Sequence, residues 1–171
     1  MKTLQITSST TADIDAIFDL YDQGTAHQAK VATKVWKGFE RSLVEEEIKE
    51  KKQWKILMEG EIVCVFATTF SDPLIWGEKN EEPAIYIHRI ATSAAHRGNS
   101  FVKHIVEWAK QYAIGHGKQF VRLDTGSGNE KLNNYYVSCG FTYLGVNLLS
   151  NTEGLPEHYK TGSFSIFEIK L

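Results

Sequence analysis

Three places along the 171-residue chain carry residue types and spacings suited to chemistry. The first lies between Ile90 and Phe101 and reads ATSAAHRGNS. It leaves an apolar strand pattern and opens the most regular helical pattern in the chain. Backbone N–H groups at such a helix start point into open space at a positive dipole end, an arrangement that binds phosphates and other anions. Gly98 permits close backbone approach, Arg97 adds positive charge, and Asn99 or Ser100 can cap the helix. On its own the segment also fits a plain turn followed by a cap. The second place is residues 122–141, RLDTGSGNEKLNNYYVSCGF. Asn129 begins a helix, Tyr136 follows two turns along the same side, and Gly140-Phe141 turns the chain into a strand. A tyrosine there suits a hydrophobic core as well as it suits proton donation. The third place is His88, on the strand leading to the first loop, whose imidazole titrates in the range a general base needs. A hydrogen-bonded sheet-face histidine is the competing reading, and Glu81 and Glu82 are the alternative bases.

The elements that must position these residues follow from periodicity. Leu4–Thr7 is a short strand, and Ser8 to Thr11 offer hydroxyl caps to a helix whose Ile14, Ile17, Phe18 and Tyr21 share one face. Residues 23–38 fit no single pattern. A charged helix spans about Glu40–Lys51. From Gln53 the period becomes two, and Glu59-Gly60 closes a hairpin into Ile62–Phe70. Ser71–Glu82 reads as a polar loop, and Ala84–Ile90 as a central strand. Strict alternation places His88 on the face of Tyr86 and Ile90, with Arg89 opposite. Phe101–Ala113 is a helix with Phe101, Val102, Ile105, Val106, Trp108, Ala109, Tyr112 and Ala113 as its apolar stripe. Phe120–Leu123 (strand), Asn129–Cys139 (helix), Phe141–Leu148 (strand) and Phe164–Lys170 (strand) complete the chain. Prolines at 73, 83 and 156 border loops or strand ends. The unit from Ala84 to Leu123 is a right-handed βαβ crossover, so its two strands are parallel. The expected fold is a single α/β (α+β) domain over residues 1–171. It has three layers, with a mixed, mostly antiparallel sheet of six or seven strands flanked by about four helices.

Composition narrows the function. Lys and Arg number 19 against 21 Asp and Glu, a net charge of −2, which gives no global attraction to nucleic acid or anionic membrane. No stretch approaches the ~20 apolar residues of a membrane span, and no secretory signal is visible at the start, so a cytoplasmic location is expected. Cys64 and Cys139, the only cysteines, read as buried thiols. His96, His104 and His116 form no set at metal-ligand spacing, and no metal is expected. The Glu45-Glu46-Glu47 run reads as a solvated helix face. Trp36 and Trp76 fall in loops where they can line a pocket or simply pack.

Taken together, the two glycine-containing segments make the sequence resemble the GCN5-related N-acetyltransferase superfamily. Arg97 and Gly98 match the start of that family's pyrophosphate motif, while Ser100 and Val102 stand where two later glycines are usual. Asn129, Tyr136, Gly140 and Phe141 match the downstream motif. The resemblance implies the acyl-CoA N-acyltransferase fold, with acetyl-CoA in a cleft where the strand at 84–90 splays from the strand at 120–123. The pantetheine arm would pair with the strand end at Ile90, Ala91 and Thr92. The pyrophosphate would lie on Arg97, Gly98, Asn99, Ser100, Phe101 and Val102, and Asn129 would bond the arm. A primary amine, on a small molecule or a protein, would attack the thioester directly in a ternary complex. Tyr136 would serve as general acid, His88 as possible base, and a backbone N–H near Ile90 as oxyanion donor. Tyr135, on the neighbouring face, is not expected to share that role. The acidic run bordering the acceptor side suggests a cationic acceptor. A homodimer through the final strands fits the family, and the alternative function is a non-catalytic acyl-CoA-binding module.

Overall fold

The computed structural model describes residues 3–31, 36, 38–148 and 163–171, so Pro156 lies outside the described residues. Among the described residues seven strands form one sheet: β1 (Leu4–Ser8), β2 (Gln53–Met58), β3 (Glu61–Thr69), β4 (Ala84–Thr92), β5 (Phe120–Gly126), β6 (Thr142–Leu148) and β7 (Ser163–Lys170). Five α-helices accompany them among the described residues: α1 (Ile14–Val31), α2 (Arg41–Lys49), α3 (Pro73–Trp76), α4 (Phe101–Gly115) and α5 (Glu130–Ser138). The strand order is β1-β2-β3-β4-β5-β7-β6. Of the described strands only β4 and β5 pair in parallel, as a crossover through α4 requires. β7 lies between β5 and β6, which leaves β6 rather than the last strand at the edge.

The apolar stripe of α4 forms as its spacing dictates. Phe101, Val102, Ile105, Val106, Ala109 and Ala113 are buried against Ile85, Ile87, Val121 and Leu123 on one face of the sheet. Tyr136 of α5 completes this cluster and meets Phe141 edge-on and Phe167 at a tilt. On the other face, Ile17, Leu20 and Tyr21 of α1 and Val44 of α2 pack on Val65 and Ala91. The first helix extends to Val31, absorbing much of the stretch whose sequence pattern is ambiguous.

The segment expected to be a loop between β3 and β4 contains α3 and a further 3-10 turn over Gly77–Glu81. Four residues are too few to show a helical period, but Ile75 and Trp76 within them are buried. Trp76 therefore packs rather than lining a pocket: the Arg122 guanidinium lies 4.7 Å from its ring centroid. Arg122 is fully buried, ion-paired to Glu82 at 2.6 Å and Glu168 at 2.7 Å, and donates to the Tyr86 hydroxyl at 3.0 Å. Glu82 is thus committed to a structural pair, and Glu81 is exposed beyond it, so neither sequence alternative for a base reaches the splay. Cys64 is buried, whereas Cys139 at the end of α5 is only half-buried.

Candidate active site

The parallel pairing of β4 with β5 runs from Ala84↔Phe120 to Ile87↔Leu123 and stops there. Beyond it β5 continues beside β7, while β4 leans towards β3, so the two strands part. β4 also carries a bulge. Its register with β3 passes from His88↔Ala67 to Ala91↔Val65, three steps on β4 against two on β3. Arg89 and Ile90 consequently have no ladder partner on either side. Arg89 takes the left-handed conformation, φ 51°, which costs a non-glycine residue about 1 kcal/mol. Its guanidinium is fixed by Glu47 of α2 and donates to the Tyr21 hydroxyl of α1 at 3.3 Å.

The bulge corrects the strict alternation expected from sequence. His88 and Arg89 both lie on the α1/α2 face, whereas Ile90 packs with the α4 cluster. An extra residue reverses the phase of every side chain after it. No glycine marks the position, so periodicity carries no warning.

A cavity of about 370 Å³ fills the splay. Its wall includes β4 from Ile87 to Thr92, then Arg97, Gly98, Ser100, Phe101 and Val102, and Asn129, Tyr135 and Tyr136 from the α5 side. The structure thus brings His88, Ile90, Ala91, Thr92, Asn129 and Tyr136 to one cavity with the loop before α4. Asn99 does not reach the wall; its side chain donates to the His96 carbonyl at 2.6 Å. Gly98 (φ 90°) and Ser100 (φ 55°) both adopt left-handed backbone, folding the loop over the start of α4. The amides of Gly98, Ser100, Phe101 and Val102 find no acceptor among the described residues. Free donors at the positive end of a 15-residue helix are an arrangement suited to an anion. The Val102 side chain is buried with the α4 core, although the residue also borders the cavity. Arg97 is exposed, and its guanidinium donates back to the Gln23 carbonyl at 3.2 Å, bracing the loop against α1.

Asn129 spends its carbonyl oxygen on the cap of α5, accepting from the Leu132 amide at 3.1 Å. Its NH₂ group makes no hydrogen bond among the described residues. Tyr136 is buried, and its hydroxyl likewise makes none, although the residue lies on the cavity wall. Burial, reinforced by neighbouring Tyr135 and Cys139, holds its proton on well above the ordinary phenol value. Tyr135 also lines the cavity, with its phenol raised to about 12 by burial and the adjacent Cys139.

Two residues that sequence reasoning did not single out join His88. Asp124, the first β5 residue past the last parallel pair, lines the same cavity, and Asp72 precedes α3. One polar atom from each of Asp72, His88 and Asp124 lies within 4.8 Å of the others, and His88 Nε2 stands 3.2 Å from Asp72 Oδ2. Burial raises the Asp124 carboxyl to about 7, with the Asp72 charge adding to it and His88 and Arg89 opposing. Burial alone would push His88 down, yet the Asp72 and Asp124 carboxylates carry it above its ordinary value. A signal for Asp124 existed, because a polar residue at the carboxyl end of a central parallel strand stands where ligands bind in open α/β sheets.

Comparisons with known proteins agree on one family. The sequence model of the acetyltransferase (GNAT) family matches residues 25–141. The streptothricin acetyltransferase of Escherichia coli is 34% identical over 64 residues, 37% of each chain. The curated relatives matched are covered over only about two fifths of their length. Among solved structures, a GNAT-family acetyltransferase from Listeria monocytogenes superposes with a TM-score of 0.77 at 22% identity, covering 100% of both chains. The yncA acetyltransferase of Salmonella typhimurium, solved with acetyl-CoA, gives 0.69 at 12% identity over 99% of this chain and 94% of its own. These structural likenesses bear on the fold.

Proposed function

The chain belongs to the acetyltransferase (GNAT) family, and on that premise we propose that it moves an acetyl group from acetyl-CoA to a primary amine by direct attack in a ternary complex. The observation that carries this reading is the continuous cavity between the unpartnered amides before α4 and the Tyr136 phenol, opened where β4 leaves β5. Its residues fit the co-substrate. The amides of Gly98, Ser100, Phe101 and Val102 suit a pyrophosphate, the unpaired backbone at Arg89 and Ile90 suits an extended amide-bearing arm, and the Asn129 amide group faces the same space. Acetyl-CoA, when bound, supplies an acetyl group activated as a thioester.

The chain's own groups then have separate tasks. An amine arrives as ammonium and must lose a proton before it is nucleophilic, a task we assign to His88 on the cavity wall. The bulged backbone at Ile90 offers an N–H to the developing oxyanion. Tyr136, protonated at every physiological pH, donates to the leaving sulfur. The acceptor is a small-molecule amine or a protein amino group. Tyr136→Phe keeps the ring and its packing on Phe141 and Phe167 while removing only the hydroxyl. It is expected to cut acetyl transfer at least tenfold, measured by thiol release, with acetyl-CoA affinity unchanged. Undiminished transfer would remove Tyr136 from the acid role.

A further inference from the structure

A second cavity, of about 350 Å³, lies on the α2 side of the sheet, lined by Glu46, Glu47, Asp72 and Ile75 among others. It shares two wall residues with the first cavity, His88 and Arg89. Asp124 lines the first cavity and not the second, and Asp72 lines the second and not the first. The trio Asp124–His88–Asp72 therefore crosses the partition between the two spaces, one carboxylate on each side and the imidazole between.

We propose that this trio is a proton relay: Asp124 takes a proton from the acceptor ammonium in the first cavity, and His88 passes it to Asp72 and out through the second. The proposal rests on the acetyl-transfer reading and assigns to the trio the base role given there to His88 alone. The proton count is simple. An ammonium, R–NH₃⁺, loses one proton to Asp124 before attack. The nitrogen–carbon bond forms, the carbon–sulfur bond breaks, and the sulfur takes the Tyr136 proton. The second nitrogen proton restores Tyr136. One proton per turnover leaves through the relay, and the rest end on the amide and the thiol.

The setting favours this use. Asp124 sits at the splay where β4 and β5 no longer pair, and Asp72, just before α3, meets His88 from the side of the second cavity. The groups facing the trio are Arg89 on β4, with Glu47 of α2 and Tyr21 of α1 on its guanidinium. Glu47 balances the Arg89 charge, and among the described residues no salt bridge joins Asp72 or Asp124 to a lysine or arginine. Tyr86, on the same face, is engaged with Arg122. Burial and the mutual repulsion of the two carboxylates bring Asp124 near neutrality, where it can both take and release a proton.

The test compares ethylamine, mostly protonated at neutral pH, with 2,2,2-trifluoroethylamine, mostly free, using purified wild type, Asp124→Asn and Asp72→Asn. Asp124→Asn should lose about 100-fold in transfer to ethylamine at pH 7, but less than tenfold with trifluoroethylamine, with acetyl-CoA affinity unchanged. Asp72→Asn should move the acid limb of the kcat/KM profile to lower pH, because the Asp72 charge raises both other groups. The His88 resonance, followed by NMR in the protein alone, should titrate at lower pH in both variants. Equal losses with both amines overturn the relay, as does loss of wild-type activity on chelation with rescue by a divalent cation. An unmoved His88 titration overturns it whatever the activity. Wild-type protein that binds acetyl-CoA to no degree defeats the acetyl-transfer reading instead, a result seen without any variant.

Discussion

Replacing Asp124 with asparagine should stabilise the folded protein at about pH 8 and leave it nearly unchanged at about pH 4. Burial lifts this carboxyl from 3.8 to about 7. Its folded pKa thus lies above its unfolded one, so between those values the folded chain holds a proton the unfolded chain has released. Stability from this group is present below about pH 4 and is lost as pH rises towards 7. At about 1.4 kcal/mol for each tenfold change in proton affinity, the ceiling on that loss is about 4 kcal/mol. His88 works in the same direction: its folded value is also raised, so its contribution is present below 6.5 and disappears as pH rises through the folded value. Asparagine fills the same volume with no charge to desolvate, and it removes the carboxylate that helps to raise His88. Urea unfolding of both proteins from about pH 4 to about pH 8 checks this, because titrating groups not coupled to Asp124 cancel in the difference and His88 shifts in the same direction. The stabilisation should grow with pH and level off above about pH 7. A difference that is flat across the range refutes a proton-holding Asp124 on the cavity wall.

Arg122→Ala should cost about 3–5 kcal/mol in urea unfolding at neutral pH, because it strips the buried partner from Glu82 and Glu168 and opens a hole beside Trp76. Restoring glycine at the two departures from the family motif should have opposite results. Ser100→Gly relieves a left-handed residue and should gain about 1 kcal/mol, whereas Val102→Gly empties a core position and should lose about 2–4 kcal/mol. Thermal melts of both variants decide it, and a stabilising Val102→Gly would mean the valine crowds the loop instead of filling the core.

Strongly periodic elements are legible in the residues themselves. The α4 stripe, the Glu59-Gly60 hairpin and the βαβ crossover follow from spacing and turn chemistry alone, whereas the meeting of the Arg97–Val102 loop with Tyr136 is implied only by the resemblance to the family. Three features are not legible there, each for a physical reason. α3 is one turn long, so no period can reveal it, and its burial depends on stacking with Arg122, distant in sequence. The β4 bulge has Arg89, not glycine, in the left-handed position, held there by tertiary bonds to Tyr21 and Glu47. Asp72 and Asp124 are 52 positions apart and meet His88 only once the sheet has closed. Glu82 looks available as a base because sequence cannot show that a buried arginine claims it.

Calorimetric titration of the protein with acetyl-CoA, with CoA and ATP as comparisons, tests the central claim most directly. The free amides before α4 and the open backbone at Ile90 predict binding of acetyl-CoA in the micromolar range, with CoA close behind and ATP silent. Absence of acetyl-CoA binding, or binding of ATP with equal affinity, would contradict the assignment of the splay as an acetyl-CoA site.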